Sequence, residues 1–329
     1  MIDLHSHTTA SDGEKTPEEL IDLALSKKLS AIAITDHDTI SGLKSAFEYS
    51  KDKNIIFVPG VELEADVDKG QMHILGLFID FENKELNNML DKIKQGRINR
   101  NNLFIQEFNK MGFEITLEDL QKVSGGKIIG KPHFAKVFLQ KNYIHTKSDI
   151  FDNYFNKPPL SLIKKTRYTP EVIIKLIKKS NGIAVLAHPQ SLKLEDNELE
   201  EKIKELISFG LDGLECYHSN QTLEQMQKYK ALAKKFNLLV TKGSDYHGPI
   251  TKPDVELAVG KNGNIVSDDE DKILKKLLNY KNIFYVNDFW AIFQNHWHAK
   301  IPWENISQGT KGKIIFLDLR YPSPLEPKC

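Results

Sequence analysis

Residues 2–35 contain two short apolar runs joined by a predicted helix. The first run is Ile-Asp-Leu-His at 2–5, and the second is Ala-Ile-Ala-Ile-Thr at 31–35. Between them, Thr16 and Glu19 have the spacing of a capping box at the start of an amphipathic helix. A strand, a helix and a second strand in this order are typical of a parallel βα unit. This stretch therefore predicts an α/β fold.

The same alternation continues along most of the chain. Further apolar runs of strand length occur at 55–58, 72–79, 182–187, 213–217 and 238–241. Because many repeats of a parallel βα unit favour a closed barrel over an open sheet, we expect residues 1–83 and 168–287 to form an α/β barrel.

The alternation of strands and helices stops between residues 84 and 167. In this segment Leu86–Met111 is the clearest predicted helix, and a Gly125–Gly126 turn follows. We interpret 84–167 as an inserted helical subdomain that could cover the site as a lid. Beyond residue 288 the pattern changes again. The segment 288–329 carries Trp290, Trp297 and Trp303 and is predicted to be an extension that the barrel does not need.

The composition is that of a globular protein without a global charge. Of 329 residues, 40% are hydrophobic, and 45 Lys and Arg balance 45 Asp and Glu. Disorder and a general basic field for nucleic acid or anionic membranes are therefore excluded. Two cysteines, Cys216 and Cys329, indicate a reducing compartment, and neither a signal peptide nor a membrane-spanning run is expected. We predict a cytoplasmic protein, and no protein partner is implied.

Six of the 11 histidines lie at or just beyond the end of an apolar run: His5, His7, His37, His73, His188 and His247. The carboxyl ends of parallel barrel strands form one face, so these imidazoles should converge. Three carboxylates occur in similar positions: Asp12, Glu62 and Asp245. Imidazole and carboxylate are ligands for Mn, Zn or Fe, and nine of them suffice for two to three divalent ions.

Each piece of this pattern is weak evidence for metal binding when it is taken alone. A His-x-His pair such as His5 and His7 is common on surfaces, and His73 or His188 alone could be a core histidine with satisfied hydrogen bonds. Asp36 and Asp38 could be turn residues or could orient the ring of a ligating histidine. Nine such residues at successive strand ends are hard to explain by packing, which favours metal binding.

The ordered set resembles the polymerase and histidinol phosphatase (PHP) family over roughly residues 1 to 280. The matching pieces are His5-Ser6-His7, Ser11-Asp12-Gly13, Thr35-Asp36-His37-Asp38, Gly60-Val61-Glu62, His73, His188-Pro189 and Ser244-Asp245-Tyr246-His247. The resemblance implies a distorted, TIM-like barrel of seven strands, a three-metal site and phosphoesterase activity.

The resemblance also implies how nine ligands are shared. One metal would take His5, His7, Glu62 and Asp245. A second would take His73 and His188, with Glu62 as the bridge, and a third would take Asp12, His37 and His247. Some relatives have histidine in place of Asp12, which bears on the identity of the third metal. The expected nucleophile is a hydroxide that bridges two metals.

Within the family, the insertion resembles a bacterial subgroup that acts on nucleoside phosphates, including 3′,5′-bisphosphates, and on short RNA ends. The similarity is strongest at Ile129-Gly130-Lys131-Pro132-His133-Phe134-Ala135, where the subgroup often has Arg instead of Lys131. The candidates for substrate binding are Arg97, Arg100, Lys131 and His133. Arg97 and Arg100 could equally belong to a solvated helix face.

His218, just after the run 213–217, is a candidate acid for the leaving group, although it could be a surface loop histidine. Three other functions stay open: a metal-dependent amidohydrolase, histidinol phosphate phosphatase, and a non-catalytic regulatory module. The expected substrate is a phosphomonoester of a small nucleotide, such as AMP or a 3′,5′-bisphosphate, or a short 5′-phosphorylated RNA.

Overall fold

Seven strands form one sheet in which spatial neighbours are also neighbours in sequence. They are β1 (Ile2–Asp3), β2 (Ala31–Ile34), β3 (Ile56–Ala65), β4 (Met72–Leu77), β5 (Ile183–Leu186), β6 (Gly213–His218) and β7 (Leu239–Gly243). Hydrogen bonds from Leu4 N to the Lys242 carbonyl (2.9 Å) and from Asp245 N to the His5 carbonyl (2.8 Å) join the first strand to the last. The sheet is thereby closed into the predicted seven-stranded barrel.

The computed structural model describes the backbone and side chains of residues 1–124, 129–265 and 270–281, and the backbone alone of 283–286, 289–292 and 314–315. The predicted Gly125–Gly126 turn lies outside the described residues. So do the side chain of Trp290 and the whole of Trp297 and Trp303.

The direction of β4 differs from the expectation of parallel units. It runs antiparallel to both β3 and β5 and follows β3 without an intervening helix. All other neighbouring pairs in the barrel sheet are parallel. His73 therefore lies near the start of its strand and reaches the shared face because that strand is reversed. The run 72–79 is apolar throughout, so its sequence carries no signal for its direction.

Ten α-helices are described. They are α1 (Pro17–Ser26), α2 (Leu43–Ser50), α3 (Lys84–Lys110), α4 (Leu117–Ser124), α5 (Lys131–Gln140), α6 (Lys147–Ile150), α7 (Pro170–Lys179), α8 (Asp196–Phe209), α9 (Leu223–Lys235) and α10 (Glu270–Tyr280). The predicted capping box of α1 is formed, since the Thr16 hydroxyl accepts from Glu19 N and the Glu19 carboxylate accepts from Thr16 N. None of the helices described has both the length and the apolar character to cross a bilayer.

Two separate hydrophobic cores divide the described chain. The larger core fills the barrel and its surrounding helices. The smaller one lies within 104–163 and is built around Phe104, Phe108, Phe134 and Phe138. Helix α3 contributes to both cores. Its residues from Leu86 to Ile93 pack in the barrel core, and its Phe104 and Phe108 pack in the smaller core. We propose that 84–167 is an inserted subdomain whose first helix is anchored on the barrel.

Three short strands follow α10. β10 (Ile283–Val286) pairs antiparallel with β11 (Phe289–Ile292), which pairs parallel with β12 (Ile314–Ile315). The proposed start of the extension at residue 288 lies between these first two strands in the chain, outside the described residues. A small hairpin of β8 (Val255–Glu256) and β9 (Gly260–Lys261) precedes α10.

Candidate metal centre

The carboxylate of Glu62 lies at the centre of the histidine cluster and is 1% exposed. Its Oε2 is 2.9 Å from Nδ1 of His37 and 3.3 Å from Nε2 of both His5 and His7. His5 and His7 follow β1, and His37 follows β2. Side chains from two neighbouring strand ends thus converge on one carboxylate oxygen, as the barrel face predicts.

The other oxygen of Glu62 faces a second pair of histidines. Oε1 lies 2.8 Å from Nδ1 of His73 and 2.9 Å from Nε2 of His188. The His188 backbone has a φ of +26°. Such a conformation is uncommon outside glycine and is typical of functional sites. Glu62 therefore presents different oxygens to two groups of imidazoles, which is the arrangement that a bridging ligand requires.

Asp245, just after β7, brings the end of the barrel to the same point. Its Oδ1 lies 3.2 Å from Nε2 of His7 and 3.7 Å from Nε2 of His5. Its Oδ2 accepts a hydrogen bond of 2.5 Å from Nζ of Lys252. Lys252 carries no signal in the sequence analysis, because it lies in a loop without strand or helix periodicity. Its ammonium offsets part of the negative charge of the centre.

Asp12 forms the outer edge of the cluster with two histidines. Its carboxylate lies 3.3 Å from Nε2 of His247 and 4.0 Å from Nε2 of His37. The rings of His7 and His247 stack at a centroid distance of 4.0 Å. The Asp12 side chain is 54% exposed, whereas that of Glu62 is almost fully buried. The centre is therefore open to solvent on the side of Asp12.

The structure brings together all nine predicted ligands, in groups whose ligand atoms lie within 4.8 Å of one another. Within the described chain, four buried atoms of these nine side chains have no hydrogen-bond partner. They are Nε2 of His5, Nδ1 and Nε2 of His7, and Oε2 of Glu62. Unpaired buried polar atoms are costly in an apolar environment. Coordination to divalent metals would satisfy all four, so this donor set fits metal ions.

Glu215 is a functional residue that the sequence analysis missed. It lies on β6, is fully buried, and its Oε1 is 2.9 Å from Nδ1 of His5. Its Oε2 accepts from the backbone N–H of His188 at 2.7 Å. A carboxylate on the far nitrogen of a ligating histidine fixes the ring and leaves Nε2 for the metal. The available signal was an acidic residue inside the otherwise apolar run 213–217.

Asp36 and Asp38 have different roles. Asp36 is buried and accepts from Thr8 N (2.7 Å), the Thr8 hydroxyl (2.6 Å) and the Ser11 hydroxyl (2.6 Å). It therefore holds the loop that carries Asp12. Asp38 accepts from the guanidinium of Arg97 at 2.6 Å and so connects the barrel to α3. Neither residue orients a histidine ring within the described contacts.

His218 is buried within the cluster, with 1% of its surface exposed. The alternative that it is a surface loop histidine is wrong, because the end of β6 lies inside the barrel mouth. Its Nδ1 accepts from Asn220 N at 3.1 Å, and its Nε2 is 3.4 Å from Oδ2 of Asp245. Because Nδ1 acts as an acceptor, the proton of the neutral ring lies on Nε2.

The carboxylates and histidines shift one another's pKa values. Burial alone would lower the pKa of His37, but the neighbouring Glu62 outweighs it and raises this pKa to about 9. Burial would raise the pKa of Glu62, yet His37 and His73 hold it well below its usual range. In contrast, burial lowers the pKa of His188. Without metal, protons are therefore held unequally, and His37 is among the histidines that retain one at neutral pH.

The insertion places cations near this centre. The guanidinium of Arg100 and the ammonium of Lys131 lie 5.5 Å and 5.7 Å from the centroid of the same ring, Phe104. Burial and the charge of Arg97 lower the pKa of Arg100 to about 10. Burial and the charge of Arg100 also lower the pKa of Lys131. Neither cation forms a direct ion pair among the described residues, although Glu64 and Asp38 act on Arg100 at longer range, so positive charge collects close to Asp38, the residue after His37.

The other two predicted substrate residues are engaged by the protein itself. The guanidinium of Arg97 is paired with Asp38, as described above. Nδ1 of His133 accepts from Gly130 N at 2.9 Å and so caps the start of α5. The sequence analysis also missed Lys165 and Arg167, both of which pair with the carboxylate of Glu64 on β3. These contacts hold the cationic side of the insertion against the barrel.

Comparison with known proteins identifies the family. Residues 3–296 match the PHP domain family. The chain is a member of this family. It is 31% identical to the 5′-3′ exoribonuclease Rnm of Escherichia coli, over 76% of this chain and 86% of that protein. It is 28% identical to a 3′,5′-nucleoside bisphosphate phosphatase of Chromobacterium violaceum, over 75% of this chain and 87% of that protein.

A solved PHP-type structure shares the fold. The crystal structure of a protein assigned as a metal-dependent phosphoesterase from Bifidobacterium adolescentis superposes with a TM-score of 0.68 at 30% identity. The match covers 84% of this chain and 95% of that one. The predicted family, barrel and enzyme class are thereby confirmed. The chain is a metal-dependent phosphoesterase of the PHP family.

Proposed function

We propose that this PHP enzyme removes phosphate from small nucleotides, with nucleoside 3′,5′-bisphosphates as preferred substrates and 5′-phosphorylated RNA ends as a related class. The observation that carries the proposal is the pair Arg100 and Lys131, two cations that form no direct ion pair in the described chain, on the insertion within electrostatic reach of Glu64 and Asp38 at the edge of the candidate metal centre. Such a pair suits a second phosphate, and the names of the two curated relatives support both substrate classes.

The nine clustered side chains would hold two to three divalent ions, with Glu62 as the bridge between His37 on one oxygen and His188 on the other. Bound metal would lower the pKa of coordinated water towards about 7 and so supply a nucleophile at neutral pH. The protein supplies the orientation: Glu215 fixes His5, and Asp36 fixes the loop of Asp12.

Hydrolysis breaks the ester P–O bond and leaves an alkoxide that needs a proton. A neutral imidazole does not readily give up its N–H proton, so that proton would come from water, and we assign to His218 the stabilisation of the departing oxygen through its Nε2–H beside Asp245. Asp245 and Lys252 would keep that ring in place. At the other end of the substrate, Arg100 and Lys131 would bind the second phosphate, which positions the first for attack.

Histidinol phosphate phosphatase is the remaining alternative for the substrate. Histidinol phosphate carries a cationic amine and one phosphate. Arg100 and Lys131, which form no direct ion pair in the described chain, would repel that amine. A nucleotide carries no such cation, and a bisphosphate supplies an anion for each site.

The first experiment compares phosphate release from adenosine 3′,5′-bisphosphate, AMP, histidinol phosphate and a short 5′-phosphorylated RNA. Each is measured with Mn²⁺ and again after chelation, with His37→Ala as the control for the metal centre. We expect the fastest release from the bisphosphate, with loss of activity on chelation and in the variant.

Activity confined to histidinol phosphate would keep the metal centre and refute the nucleotide assignment. Absence of activity on all four, from folded protein with metal bound, would refute the proposed function. The same series in His218→Gln tests the role of His218 at the leaving group. If His218 stabilises the departing oxygen, a substrate with a good leaving group, such as 4-nitrophenyl phosphate, should be hydrolysed almost normally by the variant.

A further inference from the structure

A cavity of about 600 Å³ lies between the barrel loop 38–41 and the insertion helices α3 and α4. Cavities of this size are typical of small-molecule sites. Its apolar walls are Ile40, Leu90, Ile93, Ile98, Leu117 and Ile129. None of these residues belongs to the candidate metal centre, and the proposed function does not use the cavity.

The cavity adjoins the candidate metal centre at its solvent-exposed side. Ala10, in the loop that carries Asp12, and Asp38, directly after His37, both line the cavity. Arg97 also lines the cavity, and its charge acts on Arg100 of the insertion. A substrate whose phosphate lies near Asp12 and His37 can therefore extend an adjoining group into the cavity.

The charges of the cavity select the kind of group that fits. Its charged lining residues are two acids and two bases, Asp38, Asp91, Lys94 and Arg97. Asp38 and Arg97 neutralise each other at 2.6 Å. The two cations of the proposed second-phosphate site, Arg100 and Lys131, do not line the cavity. A phosphate would therefore bind outside it, and an uncharged part of the substrate suits its interior.

Amide side chains provide the polar contacts. Asn101 is occupied, since its Nδ2 donates to the Ile129 carbonyl at 2.9 Å. Asn102 and Gln121 also line the cavity, and in the described part of the chain their side chains make no hydrogen bond. An amide offers both a donor and an acceptor. Two available amides on aliphatic walls suit a flat, neutral group with donors and acceptors on its edge.

We propose that this cavity binds the nucleobase of the substrate, with Ile98 on one wall and Asn102 and Gln121 as the residues that distinguish one base from another. The proposal rests on the proposed nucleotide phosphatase function and deepens it. The cavity gives the enzyme a preference among nucleobases, which the metal centre and the cation pair cannot provide because they contact only phosphate.

The test fills the cavity with a side chain. Ile98→Trp adds bulk at a wall position that is 42% exposed, so the fold should tolerate it. Leu103→Trp is the matched control, because Leu103 lies on the same helix, is 46% exposed and does not line the cavity. The substrates are adenosine 3′,5′-bisphosphate and the bisphosphate of an abasic ribose analogue, both with Mn²⁺.

We expect Ile98→Trp to lower kcat/KM for the adenosine substrate by about tenfold or more and to change the abasic substrate less than about twofold. Leu103→Trp should change neither. Equal losses on both substrates, or no loss on either, would overturn the proposal.

The amides are tested by base preference. With the four nucleoside 3′,5′-bisphosphates, Asn102→Leu and Gln121→Leu should each reduce the spread of kcat/KM among bases by about two- to tenfold, the value of a hydrogen bond. Gln106→Leu, an exposed position of α3 away from the cavity, should preserve the spread. An unchanged spread in both cavity variants would exclude the amides as specificity residues.

Failure of the proposed function can be told apart from failure of this inference. If folded, metal-loaded protein releases no phosphate from any substrate, binding of adenosine itself is measured by ligand-observed NMR. Binding that Ile98→Trp abolishes and Leu103→Trp retains would keep the nucleobase site without phosphatase activity. Absence of adenosine binding to the wild type would overturn the site.

Discussion

The barrel mouth and the insertion are opposite in charge and in construction. At the barrel mouth, the Glu62 and Asp245 carboxylates lie among histidines on strand ends that the closed sheet holds in place. In the insertion, Arg100 and Lys131 gather over a phenylalanine of a small helical core. The first region is short of cations and the second is short of anions. A metal-bound phosphate ester with a second phosphate would supply what each region lacks.

We expect Glu62→Gln to have the largest effect on activity of the changes at either region. A neutral amide cannot bridge two metals, so we expect kcat to fall by more than about 100-fold, beyond the roughly 10- to 100-fold cost of losing an outer partner of a metal ligand. Metal content and phosphate release are measured together. Glu64→Gln, two residues along the same strand, should retain its metal. Equal metal content in Glu62→Gln and wild type would refute the bridging role.

The two regions should also differ in their response to pH. Because the metal-free pKa of His37 is raised to about 9, metal binding at neutral pH must displace its proton. We expect Mn²⁺ affinity to rise between pH 6.5 and 9, by up to about tenfold per pH unit for each proton released. Isothermal titration in buffers of different ionisation enthalpy counts those protons. An affinity independent of pH would contradict the proton-loaded centre.

The same shift makes an opposite prediction for the stability of chelated protein. A His37 pKa raised from 6.5 to about 9 stabilises the folded state below pH 6.5, and that stabilisation is lost as pH rises through 9. Chelated protein should therefore unfold at lower urea concentration at pH 9 than at pH 6.5. In His37→Ala this contribution should disappear.

Lys131→Ala should affect the insertion and spare the barrel. Removal of one charged hydrogen bond to the second phosphate should raise KM for a 3′,5′-bisphosphate by about tenfold. KM for AMP should change little. Lys136→Ala, an exposed lysine of the same helix, is the matched control. Equal increases for both substrates would remove the reason to place Lys131 at a second phosphate.

The smallest effect is expected where the two regions meet. Lys165→Ala removes one of two cations from Glu64, but Arg167 still pairs with that carboxylate. We expect a stability loss of about 1 kcal/mol or less by urea unfolding. The double variant Lys165→Ala/Arg167→Ala leaves Glu64 uncompensated and should cost more than the sum of the single changes. Strict additivity would show that the pairs act independently.

The sequence alone determined much of the barrel. Capped amphipathic helices between short apolar runs, as at Thr16, predict βα units because local hydrogen bonding and periodicity are encoded in neighbouring residues. The closure of parallel strands sends their carboxyl ends to one face. Histidines such as His5 and His37 can therefore be assigned to a common centre from the sequence alone.

Only the tertiary structure decided the rest, because it depends on residues far apart in the chain. The reversal of β4 has no local signal in a run that is apolar on both faces, and it is what carries His73 to Glu62. In the sequence, Glu215 is one acidic residue in an apolar run. Its role is visible only in the folded chain, where it contacts His5, 210 residues away. Likewise, the structure alone separates Arg97, neutralised by Asp38, from Arg100, since neighbouring arginines on one helix differ only in what packs against them.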